Sequence, residues 1–433
     1  MSPVNPSSKV PAFAVEQWMD KYETTPNVLN LAETCAASIT IEDLVRLNSQ
    51  KQLAAPPIDY SVPMTYGAIR GSSGLRDHIA DLYNSSPRSL HGKFQTLTQK
   101  DVIVTTGAIS ANYLVFYSLV EAGDHVISVY PTYQQLYTVP ASLGADVSLW
   151  KLDAKRGFVP DVSELEKLIR PNTKMIVINN PNNPTGATIV EEIILSIIAI
   201  AKAHGIILFS DEVYAPLFHG LASPADFPRS AVTLASSSDD PQVNYDNIVT
   251  TGSMSKAWAL AGIRVGWVAT RNPTIRGAIA SARDYTTISV SQIDDQLARY
   301  ALSKDVRPQL AQRNIELAKT NLDILAAFVE GPVGREVCDW VKPNAGTTAF
   351  IRFFARSGEV QDDGKRIERR PVDDVAFCRD LLDKTKVMFV PGSLCFGEGK
   401  DFRGYVRIGY VCHTDVLRGG VAALEDYVRL HLR

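Results

Sequence analysis

Short apolar runs rich in β-branched residues alternate, through the middle of the chain, with longer segments of helical periodicity. The apolar runs are residues 102–105, 125–129, 175–178, 206–209, 248–251 and 265–269. Residues 110–121 and 190–204 are typical of the helical segments. Strands that alternate with helices indicate a parallel sheet covered on both faces, and such strands are almost continuously apolar. The pattern predicts an α/β fold.

Two polar segments interrupt this pattern, at residues 234–246 and 356–371. Both are rich in charged and turn-forming residues, which favours exposed loops. The first precedes an apolar run of the sheet and the second follows another apolar run, so neither is expected to be an interdomain linker.

The composition is that of an ordinary globular protein, with 45% hydrophobic and 21% charged residues. A chain of 433 residues is too long for one ordinary core, which predicts two domains. The 44 basic and 47 acidic side chains leave a net charge of −3. This balance favours a small-molecule substrate over nucleic acid or an anionic membrane.

Neither a membrane segment nor a metal site is expected from the sequence. The longest apolar stretch, 193–201, is far shorter than the roughly 20 residues that a membrane span needs. The N-terminal residues show no apolar leader, so a cytoplasmic location is expected by default. The five cysteines are odd in number and lack CxxC spacing, which argues against a disulfide framework and a zinc site and favours reduced thiols.

Polar residues and residues of special backbone geometry cluster directly after the predicted strands. The clusters are residues 106–108, 130–133, 179–186, 210–214 and 252–256. Ligands of open α/β sheets bind at the carboxyl ends of the strands. These clusters are therefore the candidate site.

Lys256 stands near several groups that suit a phosphate. Ser253 and Ser255 precede it, and Arg264 follows eight residues later. An arginine fork and two hydroxyls can bind a phosphate dianion beside an amine that forms an imine. In a desolvated pocket near other cations, such an amine would have a lowered pKa and would be a nucleophile toward a carbonyl. A lone lysine at this place would more often be structural.

Asp211 ends an apolar run and needs a partner if it is buried. A protonated pyridine nitrogen is one such partner, and the ion pair would keep the ring an electron acceptor. The alternative is a helix-capping aspartate. Tyr214 follows three residues later, and Asn183 lies in the proline-rich turn 179–186, which is either a plain surface loop or a rigid mount for one amide.

Taken together, the motifs NNPNNPTG (179–186), SDEVY (210–214) and SMSKxxxxxGxRxG (253–266) resemble those of class I/II aminotransferases, the fold type I pyridoxal-phosphate (PLP) enzymes. The resemblance covers about residues 28–430. It implies a large domain, 60–310, with a mostly parallel seven-stranded sheet sandwiched by helices. It also implies a smaller α+β domain built from both chain ends, 1–59 and 311–433.

The resemblance also implies the cofactor, pyridoxal 5'-phosphate, and a role for each matching residue. Lys256 would form the Schiff base and carry the substrate α-proton, while Asp211 would pair with the pyridine nitrogen. The other implied cofactor ligands are Tyr214 and Asn183 at the 3-oxygen, Tyr133 stacked on the ring, and Ser253, Ser255, Arg264 and the backbone N–H groups of Ala108 and Ile109 at the phosphate. A helix N-terminus at 108–109 suits an anion.

Two further matches concern the substrate and the assembly. Arg407, in the segment YVRIG, matches the arginine that binds the substrate α-carboxylate. Tyr66 matches the tyrosine that reaches the phosphate of the neighbouring subunit, which implies a homodimer with shared active sites.

The chain departs from the family pattern in two places. Ile109 stands where many members have a polar side chain, so only its backbone is expected to contact the phosphate. The segment 31–35, LAETC, replaces a glycine-rich stretch and resembles aminocyclopropane-carboxylate synthases and capreomycidine-synthase-like proteins. Its Glu33 could act as a base or bind a cationic substrate group. The alternative is that Glu33 caps the helix beginning near Ile41.

The resemblance predicts an enzyme that acts on an L-amino acid, most simply an aminotransferase that also takes a keto acid. The alternatives are a PLP-dependent lyase, cyclase or synthase of the aminocyclopropane-carboxylate or capreomycidine type, and an oxygen-using amino-acid oxidase. Lys256 and its partners are common to all of them. The choice is expected to depend on a distal pocket formed by Glu33, Tyr22, Arg70 and residues 285–289. A transcription regulator carrying this fold is not expected, because no basic cluster precedes the resemblance.

Overall fold

The computed structural model describes residues 9–50, 55–85, 96–237, 244–355 and 369–432. Its strands are β1 (Leu29–Asn30), β2 (Val102–Thr105), β3 (His125–Tyr130), β4 (Asp146–Lys151), β5 (Thr173–Asn179), β6 (Ile207–Asp211), β7 (Ile248–Ser253), β8 (Gly266–Ala269), β9 (Cys338–Trp340), β10 (Thr348–Phe353), β11 (Val387–Met388), β12 (Val390–Pro391) and β13 (Tyr405–Gly409).

Helices precede, separate and follow these strands. They are α1 (Ala14–Tyr22), α2 (Ile41–Arg46), α3 (Ser73–Asn84), α4 (Gly107–Leu119), α5 (Gln135–Ser142), α6 (Val162–Leu168), α7 (Glu191–His204), α8 (Ala231–Ser237), α9 (Pro273–Asp284), α10 (Gln292–Ala301), α11 (Arg307–Val329), α12 (Pro332–Val337), α13 (Asp374–Thr385), α14 (Gly392–Phe396) and α15 (Thr414–His431). No helix in these ranges has the length and apolar character needed to cross a membrane.

The central sheet has seven strands within the described ranges, in the order β2-β8-β7-β6-β5-β3-β4. Strands β3 to β7 pair in parallel, and β2, β3, β6 and β7 are buried along their whole length. Apolar clusters pack on both faces of the sheet, with α4, α5 and α9 covering one face. This confirms the predicted α/β fold with a mostly parallel sheet between helices.

One strand of the sheet differs in direction from the rest. Strand β8 runs antiparallel to both of its neighbours, which the apolar pattern of 265–269 did not indicate and which agrees with a sheet that is mostly, not entirely, parallel. As a result, Gly266 at the start of β8 lies opposite Thr105 at the end of β2 and Ser253 at the end of β7. The antiparallel strand therefore brings three strand termini to the same edge of the sheet.

A second sheet lies in the C-terminal part of the chain. Its four strands are antiparallel in the order β12-β13-β10-β9. The N-terminal segment joins this part, because β1 pairs in parallel with β11. This pairing suits a smaller domain formed from both chain ends, whose bounds stay a prediction.

The segment 234–246 is only partly the exposed loop that its polarity predicts. Helix α8 continues through Ser237, and Leu234 and Ala235 are fully buried. These two apolar side chains pack α8 into the core, which outweighs the run of serines after them. In the other predicted loop, residues 356–368 lie outside the described residues, and Pro371 forms a bridge with Phe354.

Candidate active site

A cavity of about 550 Å³ opens at the carboxyl ends of the central strands. Every residue predicted to bind the cofactor lines it except Tyr66, and so do Glu33 and Arg407. Those residues are Glu33, Ala108, Ile109, Tyr133, Asn183, Asp211, Tyr214, Ser253, Ser255, Lys256, Arg264 and Arg407. The structure thus brings together side chains that lie up to 374 positions apart in the chain.

One end of the cavity is built to receive an anion. Helix α4 begins there, and Thr106 at its N-cap position makes no side-chain capping bond to the first turn. Strand β8 approaches so closely that a Cβ on Gly266 would overlap the backbone of Gly107 and Ala108. The Arg264 guanidinium lies against Gly107, where an added Cβ would be 3.0 Å from Nη2. Uncapped N–H groups, the positive helix end and an arginine fork are what a phosphate requires.

Ser253 and Ser255 form the next part of this wall, and both are buried. The Ser255 N–H donates to Ser253 Oγ at 3.0 Å, and Ser253 Oγ donates weakly to the Val265 carbonyl at 3.4 Å. Arg264 adopts a left-handed conformation with φ of 50°, and its Nη1 donates to the Ala261 carbonyl at 2.9 Å. The motif spacing therefore brings two hydroxyls and a guanidinium to one place.

Asp211 lies at the end of β6 and is 3% exposed. Its carboxylate accepts a hydrogen bond from Asn112 Nδ2 at 2.9 Å and one from the Val213 N–H at 3.2 Å. It forms no ion pair with any residue in the described ranges. Burial raises the pKa of this carboxyl to about 6, although these hydrogen bonds and the Lys256 charge oppose the shift. No helix begins directly after β6, so the alternative interpretation of Asp211 as a helix-capping residue does not apply.

The turn after β5 holds Asn183 in place. The Asn179 side chain donates to the Asp211 carbonyl at 3.1 Å and accepts from the Asn183 N–H at 2.8 Å. Asn183 is 3% exposed, so this turn is a rigid part of the site and not a plain surface loop. Tyr214 is equally buried, and the Tyr133 hydroxyl donates to Glu16 at 2.8 Å.

Lys256 faces the LAETC segment across the cavity. Its Nζ donates to Thr34 Oγ1 at 2.7 Å and lies 3.8 Å from Glu33 Oε1. Burial lowers the pKa of the amine. The acidic groups of Cys35, Tyr214 and Glu33 raise the pKa by more than burial lowers it, so it lies above its ordinary value. The pKa of Lys256 is therefore not lowered as expected, because the acidic groups beside the amine outweigh both its burial and the positive charge of Arg407.

Glu33 is held by its own segment. Its carboxylate accepts from the Thr34 N–H at 2.6 Å and the Cys35 N–H at 3.2 Å, and the side chain remains 47% exposed. Burial raises the pKa of the carboxyl, but Lys256 and these hydrogen bonds lower it to below its ordinary value. Because burial also raises the pKa of the Cys35 thiol to about 11, Glu33 is the neighbour of Lys256 that is negative at neutral pH.

Glu33 does not cap the helix that follows. Thr40 is the N-cap of α2 and forms a reciprocal capping box with Asp43. The segment of Glu33 instead packs on β13. The Gly409 N–H donates to the Leu31 carbonyl at 2.7 Å, and a Cβ on Gly409 would overlap the Glu33 carbonyl oxygen.

Arg407 projects from β13 and is 3% exposed. Its Nη2 donates to the Ala32 carbonyl at 2.7 Å, and its Nη1 donates to Asn183 Oδ1 at 3.3 Å. Its buried Nε has no hydrogen-bond partner in the part of the chain that the structure describes. A buried guanidinium with an unsatisfied N–H, on the wall of a cavity, is suited to an anionic ligand group.

Some residues expected near the site lie elsewhere. Tyr66 is 82% exposed and does not line the cavity of its own chain. Arg70 is exposed, Tyr285 is 92% exposed, and Tyr22 packs at a tilted angle against Trp18. The cavity wall within the described ranges includes Glu33 but not the other members of the predicted distal pocket.

The sequence analysis missed several wall residues. Helix α1 and its ends contribute Phe13, Val15, Glu16, Met19 and Glu23, and other elements contribute Thr34, Cys35, Asn112 and Gln135. Asn112 could have been suspected, because it is a polar residue within the apolar stretch of α4. Its side chain links Asp211 to the Thr251 hydroxyl, which donates to Asn112 Oδ1 at 2.8 Å.

Comparison with known proteins agrees with this geometry. The family model described as aminotransferase class I and II matches residues 54–424. Capreomycidine synthase of Streptomyces vinaceus is 28% identical, over 77% of this chain and 75% of that protein. Aspartate aminotransferase of Thermotoga maritima is 26% identical, over 84% of this chain and 83% of that protein.

Among solved structures, a PLP-dependent aminotransferase from Streptococcus suis 89-1591 superposes with a TM-score of 0.79. It is 34% identical, over 98% of each chain. A phosphate cradle, a buried carboxylate without a cation and an adjacent lysine fit the cofactor of such enzymes. The chain therefore belongs to the class I/II aminotransferase family and is a PLP-dependent enzyme.

Proposed function

We propose that the protein is an aminotransferase, which moves the amino group of an L-amino acid to a keto acid. The similarity to a PLP-dependent aminotransferase, 34% identical over 98% of each chain, favours transamination, and one observation on the site supports the PLP chemistry that it requires. A single cavity joins a buried carboxylate without a counter-ion, an amine, and a buried arginine with an unsatisfied N–H, which are Asp211, Lys256 and Arg407. Asp211 is suited to pair with a protonated pyridine nitrogen, Lys256 to form an imine with a carbonyl carbon, and Arg407 to bind a substrate carboxylate.

When bound, PLP supplies an electron-accepting ring that stabilises the electron pair left by breaking the substrate Cα–H bond. In this proposal Asp211 keeps the ring nitrogen protonated, and Tyr214 and Asn183 donate to the 3-oxygen. Tyr133 stacks on the ring. The phosphate is held by Ser253, Ser255, Arg264 and the backbone N–H groups of Ala108 and Ile109.

The substrate side of the proposal uses two residues. Arg407 binds and orients the α-carboxylate through its forked guanidinium. Lys256 would hold the cofactor covalently and would carry the proton to and from the substrate Cα. Helix α1 and the LAETC segment cover the cavity and limit the access of water to the reacting atoms.

We also propose a homodimer in which Tyr66 reaches the phosphate of the other subunit. An exposed apolar surface around Tyr66 supports this, because Tyr60, Met64, Ile69 and Tyr285 are all more than half exposed. Sedimentation of the holoenzyme tests the assembly. Tyr66→Phe should weaken PLP binding. When this variant, at limiting PLP, is mixed with the inactive Lys256→Ala variant, hybrid dimers with one intact site should give more activity than either variant alone.

The cyclase or lyase alternative is retained because of Glu33. This carboxylate lies 3.8 Å from Lys256 Nζ, where it could remove or deliver a second proton on the substrate side chain. The 28% identity to capreomycidine synthase agrees with this alternative. Glu33→Gln should hardly change the transamination of an uncharged amino acid but would abolish a reaction that needs a second base.

A panel of amino acids, incubated with and without a keto acid and analysed by mass spectrometry, tests the function. Keto-acid-dependent loss of the amino group supports an aminotransferase. A cyclised or deaminated product that needs no keto acid would refute it, and oxygen consumption would indicate an oxidase. Borohydride reduction of the holoenzyme should attach the cofactor to Lys256, and a label elsewhere would contradict the assignment.

A further inference from the structure

Helix α1 forms the outer wall of the active-site cavity. Val15, Glu16 and Met19 on this helix and Glu23 just after it line the cavity, with Phe13 just before it. The wall therefore combines apolar side chains with two carboxylates. Glu16 and Glu23 are exposed, whereas Val15 is buried.

The position of α1 is fixed by contacts with both parts of the fold. Trp18 Nε1 donates to the Phe389 carbonyl at 2.8 Å, which ties the helix to the C-terminal part. Gln134, at the start of α5, accepts from the Ala14 N–H and donates to the Ala12 carbonyl, both at 2.9 Å. The acidic wall is therefore held in place by one buried, one part-buried and one exposed hydrogen bond.

The charges around the cavity do not balance once the cofactor and substrate groups are assigned. The four carboxylates of the wall are Glu16, Glu23, Glu33 and Asp211, and its three cations are Lys256, Arg264 and Arg407. Under the proposed function, each cation is committed to the cofactor or to the α-carboxylate, and Asp211 is committed to the ring nitrogen.

The three glutamates are then left without a cation. Glu33 loses its 3.8 Å ion pair when the Lys256 amine becomes the cofactor link. Glu16 accepts from the neutral Tyr133 hydroxyl, which does not cancel its charge. Glu23 forms no ion pair within the described ranges. Uncompensated carboxylates at the rim of a partly closed cavity attract a cation.

A second observation, at Arg407, independently indicates what kind of molecule enters the cavity. Arg407 is 3% exposed, and its Nε has no partner among the residues that the structure describes. It provides the anchor for a carboxylate. Met19, Val15 and Phe13 line the same cavity and provide apolar contacts that suit a chain of methylene groups.

We propose that the enzyme selects L-amino acids whose aliphatic side chain ends in a cation, a guanidinium or an ammonium group. This proposal rests on the proposed function, because it uses the same cofactor and carboxylate assignments. The residues that bind the cofactor do not determine which amino-acid side chain is accepted, whereas the acidic wall would.

Pairs of amino acids of matched size test the proposal on the holoenzyme. L-arginine is compared with L-citrulline, and L-lysine with L-norleucine, with pyruvate or 2-oxoglutarate as amino acceptor. Changes in cofactor absorbance give the Kd of each amino acid without requiring turnover. We expect kcat/KM and affinity to favour the cationic member by at least about tenfold, equivalent to about 1.4 kcal/mol.

The variants Glu16→Gln and Glu23→Gln should each reduce this ratio by about 1.5-fold to fivefold, the range expected for one exposed ion pair. The matched control is Glu121→Gln, an exposed glutamate outside the cavity, which should leave the ratio unchanged. The pH profile of this ratio should be the same for the control variant as for the unaltered enzyme.

Each outcome decides a separate claim. Equal use of cationic and neutral partners, or ratios unaffected by Glu16→Gln and Glu23→Gln, would overturn the substrate class while leaving the aminotransferase intact. If no amino acid passes its amino group to a keto acid, the proposed function fails. The absorbance titration would then still show whether cationic amino acids bind preferentially.

Discussion

Replacing Asp211 by asparagine should stabilise the cofactor-free protein at pH 8 and weaken its binding of PLP. Burial raises the pKa of this carboxyl from 3.8 to about 6. Between these values the native state binds more protons than the unfolded state, so the free energy of unfolding falls as the pH rises from about 4 to about 6. At pH 8 the ionised carboxyl costs about 3 kcal/mol, at 1.36 kcal/mol per pKa unit.

The asparagine variant avoids this cost. However, its side chain has one acceptor oxygen in place of two, so it keeps only one of the two hydrogen bonds that Asp211 accepts. The Val213 N–H and Asn112 Nδ2 both donate to the carboxylate, and losing one of them costs about 1–2 kcal/mol. The variant should therefore be about 1–2 kcal/mol more stable at pH 8. Its advantage should also grow by about 1.4 kcal/mol between pH 5 and pH 8, whatever the hydrogen bond contributes.

Urea denaturation of the cofactor-free proteins at several pH values measures this difference. An absorbance titration measures PLP binding, which should weaken by at least about tenfold because a buried ion pair is lost. Glu212→Gln is the matched control. Burial raises the pKa of Glu212 to about 7, but this residue does not line the active-site cavity. It should raise stability at pH 8 and leave PLP binding unchanged.

A variant at Asp211 that is less stable than the natural protein at pH 8, by an amount independent of pH, would refute this reasoning. It would mean that the carboxylate is neutralised by a partner or is already protonated. Unchanged PLP binding would refute the pairing with the ring nitrogen, even if the stability follows the expected curve.

Three further predictions follow from the same geometry. Gly266→Ala should weaken PLP binding at least about tenfold by forcing β8 away from the start of α4, whereas Gly262→Ala, whose Cβ would meet open space, should have no effect in the same absorbance titration. Arg407→Gln should raise the Kd for amino acids about 100-fold, as expected for a lost charge-assisted pair, while the absorbance of bound PLP stays unchanged. Trp18→Phe should lower the free energy of unfolding by about 1 kcal/mol through the lost bond to Phe389, and should raise KM if α1 positions the substrate.

The strands of the central sheet could be predicted because burial on both faces leaves nearly continuous apolar runs. Strand β4 was missed because it lies at the sheet edge and has only Trp150 fully buried. The direction of β8 could not be predicted, since a strand between two neighbours is equally apolar whether it runs parallel or antiparallel.

Site residues that follow strands could be predicted because their spacing is fixed by local backbone geometry. Residues that reach the cavity from elsewhere could not. Glu16 and Glu23 are polar residues on and beside an amphipathic helix, where a wall of a cavity and a solvent-exposed face have the same pattern. The acidic neighbours of Lys256 come from residues 33–35, which no local pattern places beside it.

The close packing of the LAETC segment on Gly409 means that a substitution at position 409 could change which reaction the enzyme catalyses. Any side chain at position 409 would displace the backbone that carries Glu33 and Thr34, because a Cβ there has no room. A single substitution on β13 would thus move Glu33 and Thr34, which face Lys256, while Asp211 and the phosphate-binding residues stay in place. Homologous enzymes could acquire new reaction outcomes from this position without altering a single group that holds the cofactor.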